Sequence, residues 1–204
     1  MQPAEHRRYS EDEYVALEQR AETKSELVNG EIYAMSGAKP RHNVIAAAIT
    51  GELGARLRAR RSSCRVFSGD QRIRSQATGM NTYADVTVAR GPRFDARYPD
   101  ALVNPRVIVE VLSKSTEDYD HGAKFAHYRT IPSLAEYVLV SQRRHQVEHF
   151  QRLESGQWLL TVLDGDAAVL ELPALECSIP LREIYAEADD LPGDEVEEPP
   201  LSSA

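Results

Sequence analysis

In the stretch VIVEVLSKST (residues 107–116), Glu110 stands alone among Val107, Ile108, Val109, Val111 and Leu112. Those neighbours read as a strand apolar on both faces, as in the middle of a sheet. A carboxylate there costs several kcal/mol, as an order of magnitude, unless something pairs with it, coordinates it or protonates it. A second acid, Asp85, sits in TYADVTVA (82–89). Strand alternation puts Asp85 on a face with Tyr83 and Thr87, against Ala84, Val86 and Val88, and puts Glu110 on a face with Ile108 and Leu112. If the two strands are neighbours, the carboxylates converge at one edge of the sheet. They then repel and push one pKa up unless a cation lies between them. Hard divalent ions such as Mg²⁺ are held in this way, by one or two carboxylates plus waters and phosphate oxygens. The competing reading is that each acid pairs with an arginine or caps a backbone group, and the pattern leaves both open.

Lys124, in DYDHGAKFAHY, is the third chemical residue. At i+4 from Asp120 it fits an intrahelical ion pair worth only ~0.3–0.5 kcal/mol. Alternatively, the helix after the third strand lays its ammonium across the open side of the carboxylate pair, where it offsets charge on a phosphate or orients an attacking water. His121, His127, His145 and His149 show no ligand spacing, which argues against zinc. Arginines cluster at Arg56, Arg58, Arg60 and Arg61, at Arg72 and Arg74, and at Arg143 and Arg144. They would supply several phosphate contacts if they share a face, or stay solvated at helix and strand ends. Nothing resembles a base-reading helix, so the nucleic-acid-binding residues stay unassigned.

These residues need a scaffold, and the chain has the length for one domain with a sizeable core, placed at 1–190. Its 42% hydrophobic content is ordinary for a soluble protein. No run nears the ~18 apolar residues of a membrane span, and MQPAEHRRYSEDEY lacks a signal-peptide core. Cys64 and Cys177 have no metal-type spacing, so reduced thiols and a cytoplasmic location are expected. Eight acids and no base from Glu183 onward account for the whole net charge of −8. The preceding body is therefore neutral, and the acidic, Pro-rich segment 191–204 reads as a disordered tail.

The elements follow in order. SEDEYVALEQ opens with a capping box, Ser10 and Glu13, into a short helix. Asn29-Gly30 in SELVNGEIYAMS signals a hairpin. Val44, Ile45, Ala48, Ile49, Leu53 and Leu57 keep helical spacing over roughly 41–60. CRVFSGDQRIRS (64–75), TYADVTVA and RVIVEVLS (106–113) read as three strands. A helix over 118–130 ends at Pro132. Strands at 135–141, 145–152 and 157–163, a short AVLEL and a final helical LREIYAE complete the chain. The result is an α/β fold on a mixed central sheet.

The runs YADV, NPRVIVEVLSKST and DYDHGAKFAHYRTIPSLAEYVLV, with the earlier SELVNGEIYAMSGA, resemble the Uma-two family of restriction-endonuclease-like proteins within the PD-(D/E)XK nuclease superfamily. The likeness covers about residues 8–185. It implies a restriction-endonuclease-like αβββαβ core, here with an N-terminal helix and hairpin and extra C-terminal strands. It implies Asp85 as the motif aspartate, with Ala84 in place of the usual proline, and Glu110 as the second acid, the two holding Mg²⁺ or Mn²⁺. Leu112 occupies the position where the strict motif wants lysine. The resemblance moves that lysine to the next helix, at Lys124, with Lys114 as a competitor on strand parity. It also suggests Glu52 as a supporting acid from the first core helix, against a plain i,i+4 pair with Arg56, which we prefer. His42, where that helix begins, is either a supporting residue or a local hydrogen-bonding one.

The function expected is a metal-dependent nuclease acting on DNA, catalysed by Asp85, Glu110 and Lys124. Homodimerisation fits, because one such site cuts one strand and a two-fold pair cuts both. The alternatives are a catalytically silent member of the fold that binds nucleic acid or a protein partner, and a plain interaction module assembled through its sheet edge.

Overall fold

A computed structural model describes residues 7–194. Ser10 caps helix α1 (Glu11–Glu18) as the sequence predicts: its hydroxyl accepts from the Glu13 N–H at 3.3 Å while the Glu13 carboxylate accepts from the Ser10 N–H at 2.8 Å. Asn29 and Gly30 both adopt positive φ, 52° and 81°. They turn the hairpin between β1 (Ser25–Val28) and β2 (Glu31–Ala34) in the sense that matches strand twist. Helix α2 (Pro40–Ala59) starts on a proline and buries Ile45, Ile49, Leu53 and Leu57.

The middle of the chain departs from the sequence reading. The alternating run 64–75 is two strands, β3 (Cys64–Ser68) and β4 (Arg72–Arg74), separated by a turn closed from the Gln71 N–H to the Ser68 carbonyl. TYADVTVA is likewise broken, into β5 (Asn81–Tyr83) and β6 (Val86–Arg90), with a bend at Asp85. β4 and β5 join the hairpin in a four-stranded sheet of order β2-β1-β5-β4. β3 and β6 belong to a second, six-stranded sheet, completed by β7 (Val107–Val111), β8 (Glu136–Val140), β9 (Gln146–Arg152) and β10 (Trp158–Asp164) in the order β10-β9-β8-β7-β6-β3. The chain therefore crosses from one sheet to the other at Ala84 and Asp85.

The larger sheet is mixed: β7 and β8 run parallel and their other neighbours antiparallel. The parallel step is bridged by a helix over 117–128, made of α3 (Glu117–Tyr119), a π-helical turn (Asp120–Lys124) and α4 (Phe125–Tyr128). Beyond the sheet lie a β11 (Val169–Leu172) and β12 (Cys177–Pro180) ribbon and a closing helix α5 (Leu181–Tyr185). β12 is absent from the sequence reading. This is the α/β, restriction-endonuclease-like arrangement anticipated, with a mixed central sheet flanked by few helices.

β7 is buried throughout and its side chains alternate between two cores. Val107, Val109 and Val111 pack with α2, α5 and the β11–β12 ribbon. Ile108 and Leu112 face Phe125, Tyr128 and Tyr137 on the other side. The last described residues are held in place: the Pro192 carbonyl accepts from the Arg41 N–H at 3.3 Å, and the Asp194 carboxylate accepts from the Lys114 N–H at 2.7 Å. Residues 191–194 of the expected tail are thus placed against the body of the fold, and residues 195–204 lie outside the described residues. No helix among the described residues is long and apolar enough to cross a membrane.

Leu53 is fully buried in the α2 core. Leu53→Ala should cost about 2–5 kcal/mol of unfolding free energy, measured by urea denaturation. Leu159→Ala, at a half-exposed site, should cost well under that.

Candidate active site

Glu110 enters on β7 with its side chain 5% exposed, and its partner is Lys124. The ammonium lies 2.9 Å from Oε1, and the Tyr128 hydroxyl donates to the same oxygen at 2.9 Å. Lys124 and Tyr128 are four residues apart, so one face of the helix over 117–128 addresses one carboxylate oxygen. The π-helical turn carries Asp120 and Lys124 inward together, both buried. Such turns are frequent at functional sites.

Lys124 does not serve Glu110 alone. Its Nζ lies 3.3 Å from Glu26 Oε1 and 3.6 Å from Asp120 Oδ1, and it donates to the Tyr83 carbonyl at 3.2 Å. Glu26 comes from β1 and accepts from the Thr82 hydroxyl at 2.5 Å and the Tyr119 hydroxyl at 3.0 Å. Three buried carboxylates from three separate elements thus surround one ammonium.

Asp85 approaches from the bend between β5 and β6. The β6–β7 register pairs Val86 with Val109, and one further antiparallel step sets Asp85 opposite Glu110. The bend changes where its side chain goes. Ala84, predicted on the opposite face from Asp85, packs in the core that holds Ile108 and Leu112. Asp85 Oδ2 instead accepts from the Val111 N–H at 2.7 Å and lies 3.2 Å from Nε2 of His42, in the first turn of α2. The Nδ1 of His42 is buried with no hydrogen-bond partner among the described residues.

The electrostatics follow from this excess of acid. Burial pushes the Glu110 carboxyl well above the usual range; Lys124 opposes the shift, and Asp120 and Asp85 add to it. Burial raises Asp120 as well, again against Lys124 and with Asp85 and Glu26. Desolvation acts to lower Lys124, but Glu110, Glu26 and Asp120 more than offset it and the net direction is strongly up. The ammonium is held in its charged form, and the surplus negative charge around it makes the carboxyls harder to ionise. For His42, burial acts downward, while the bond to Asp85 and the charge of Asp85 carry the imidazole above its ordinary value.

Val111 and His42 both address Oδ2 of Asp85, and Tyr128 and Lys124 both address Oε1 of Glu110. Asp85 Oδ1 and Glu110 Oε2 are left without a donor among the described residues. Asp85 and Glu110, opposite one another by the extended register, are the residues that could hold a divalent cation that keeps several waters. No three His, Cys, Asp or Glu side chains among the described residues are set to hold a metal together, so a cation here would rest on two carboxylates and water.

The structure thus brings Asp85, Glu110, Lys124 and His42 together. Two possible supporting residues stand apart, Glu52 in the i,i+4 pair that the sequence reading preferred and Lys114 against its place as a competitor. Glu52 turns to Arg56, which also binds Glu183 at 2.5 Å and the Ser178 carbonyl. Lys114 lies in an exposed turn, because the strand ends at Val111. Most of the clustered arginines are also engaged internally: Arg60 with Glu176, Arg72 with Asp100, Arg74 with Glu11 and Asp95, and Arg143 with Glu117. Arg58, Arg61 and Arg144 remain exposed. The sequence reading missed Glu26 as a member, although it is also an acid beside apolar strand residues, Leu27 and Val28. It took Asp120 only as the helical partner of Lys124.

Lys124→Met should destabilise the protein by about 3–5 kcal/mol near neutral pH, because it strands buried carboxylates without their cation. Raised carboxyl pKa values in the folded state give stability that is full below the ordinary carboxylate range and lost as pH rises through the folded values. Urea denaturation should therefore find the Lys124→Met deficit smaller at pH 5 than at pH 7.5.

Three comparisons bear on kinship. A family model described as Uma2, "Putative restriction endonuclease", matches residues 11–182. The uncharacterized protein sll1609 of Synechocystis sp. is 38% identical over 160 residues, 78% of this chain and 89% of that one. A second Synechocystis protein, slr1290, is 33% identical over 86% of this chain and 90% of its own length. A crystal structure from Anabaena variabilis, described as a "putative nuclease belonging to DUF820", superposes with a TM-score of 0.71 at 17% identity, over 87% of this chain and 97% of that one. The last shows a shared fold. The family match spans most of the chain, including every strand of the larger sheet and the helix that carries Lys124, and the chain belongs to the Uma2 family.

Proposed function

We propose that this chain is a cytoplasmic, metal-dependent nuclease that hydrolyses phosphodiester bonds in DNA. The observation that carries the reading is the pair Asp85 and Glu110, opposite one another by the extended β6–β7 register, each with one carboxylate oxygen that meets no donor among the described residues, with a buried ammonium beside Glu110. The family description supports a nuclease rather than another phosphoryl-transfer enzyme. Free Cys64 and Cys177 suit a reducing compartment.

Asp85 and Glu110 would hold Mg²⁺ or Mn²⁺, which supplies Lewis acidity and lowers the pKa of a bound water. The chain's own groups do the rest. The Val111 N–H and His42 fix Oδ2 of Asp85 and leave Oδ1 directed elsewhere. Tyr128 and Lys124 do the same for Glu110 through Oε1. Lys124, kept charged by Glu26 and Asp120, offers an ammonium to charge that develops on the phosphate. The tyrosines at 119, 128 and 137 line this side and keep the local dielectric low.

One observation favours a second reading, a catalytically silent member that binds nucleic acid or a protein partner. Lys124 already neutralises part of the carboxylate cluster, and no three ligating side chains among the described residues are set to hold a metal together.

Nicking of supercoiled plasmid with Mg²⁺ or Mn²⁺ tests the first reading. Asp85→Ala, Glu110→Ala and Lys124→Met should each lose at least about 10²-fold in rate. Equal activity in wild type and the Asp85→Ala and Glu110→Ala variants would remove it. Calorimetric titration with Mn²⁺ gives a readout independent of turnover. Protons held on the raised carboxyls must leave as the cation binds, so binding should release protons and tighten as pH rises above the ordinary carboxylate range. Glu110→Gln should cut the release. DNA binding retained without any metal binding would favour the silent version.

A further inference from the structure

β10 is the free edge of the six-stranded sheet. Its seven residues, Trp158–Asp164, carry no charge before the final aspartate. Leu159 is 50% exposed, Leu160 46% and Val162 53%, so both faces of the strand show apolar surface to solvent. An unpaired edge presents a row of free N–H and C=O groups, and proteins that stay monomeric guard such edges with charge, proline or a covering element. The opposite edge of this sheet, β3, carries Arg65 in mid-strand. β10 has no such guard.

Its two ends are also chemically complementary. At the N-terminal end, Arg152 of β9 pairs with Trp158 across the ladder, and its guanidinium lies 4.8 Å from the ring centroid. That guanidinium bonds main-chain carbonyls, at Ile131 and Pro132 among others, and meets no carboxylate among the described residues. At the C-terminal end, Asp164 makes no ion pair among the described residues. One chain thus bears an unmatched positive group at one end of the edge and an unmatched negative group at the other.

We infer that β10 pairs antiparallel with β10 of a second copy across a two-fold axis at Thr161, fusing the two sheets into one of twelve strands. With Thr161 on the axis, Leu160 stands opposite the second copy's Val162, and Trp158 opposite its Asp164. Directly opposed residues in an antiparallel pair project from the same face. Leucine and valine therefore cover one another on the exposed face, and each Asp164 arrives beside the Trp158 ring that Arg152 overlies. A two-fold pairing makes this match twice with a single surface, as closed symmetry requires. An unrelated partner would satisfy the backbone row equally well but would have to supply both charges in the right order. The assignment stands apart from the nuclease reading, since no residue of the proposed site takes part.

Light scattering on the eluting full-length chain should give twice the chain mass. Val162→Lys, at a solvent-exposed position, should give the single-chain mass with an unchanged circular dichroism spectrum. Thr161→Cys in a Cys177→Ser background should link two copies in high yield with a short bis-maleimide. A wild-type chain that stays monomeric at its highest attainable concentration would overturn the assignment. So would a Val162→Lys variant that stays dimeric, or a Thr161→Cys variant that fails to cross-link.

Discussion

One buried ammonium among three buried carboxylates is the constraint around which this molecule is arranged. Lys124 has Glu26, Glu110 and Asp120 within 3.6 Å of Nζ. Each acid would be costly in a core by itself, and the single lysine cannot neutralise all three. The acids arrive on β1 of the small sheet, β7 of the large sheet and the helix over 117–128. The cluster therefore exists only when both sheets and that helix are docked. Forming the site and completing the tertiary fold are the same event, which ties any change at Lys124 to stability as well as to chemistry.

The same surplus gives the site its chemical direction. A cluster whose charges balanced internally would have no call for a cation. Here burial and mutual repulsion drive Glu110 and Asp120 upward despite Lys124. Carboxyls raised in this way ionise less readily than free ones. Asp85 differs in kind. It lies partly exposed at a bend, with one oxygen bound to a main-chain amide and to His42.

Much of this was legible in the sequence, for reasons that differ by residue. Glu110 announced itself as an acid inside an apolar strand, a violation that local rules make visible. Asn29-Gly30 and the Ser10–Glu13 box fixed their elements because each encodes a backbone conformation directly. The split of 64–75 and of 82–89 between two sheets was not legible, because a two-residue period continues through a bend without revealing that the pairing partner has changed. That missed bend also misplaced Asp85 relative to Ala84. Glu26 carried the signal that exposed Glu110, but in a four-residue strand with polar Ser25 before it, which diluted it. Glu52 and Lys114 had the right residue types and near positions. Arg56 claimed the first, and the strand ended too early for the second.

The lysine's position follows from the core that faces β7. A lysine at 112 would share its face with Glu110, pointing into the layer formed by the helix over 117–128. This chain spends that position on Leu112, which is buried against Phe125 and Tyr128. The ammonium instead descends from the helix, where the π-helical turn sets Asp120 and Lys124 inward and Tyr128 one turn on. Both routes end in the same small volume beside Oε1 of Glu110, since a strand and the helix packed on it face each other across that volume. A lysine's long, flexible stem makes the exchange possible. The helical origin adds what a strand position could not: Asp120 travels with Lys124 on the same turn, so the cation and one of the acids that keep it charged are delivered together.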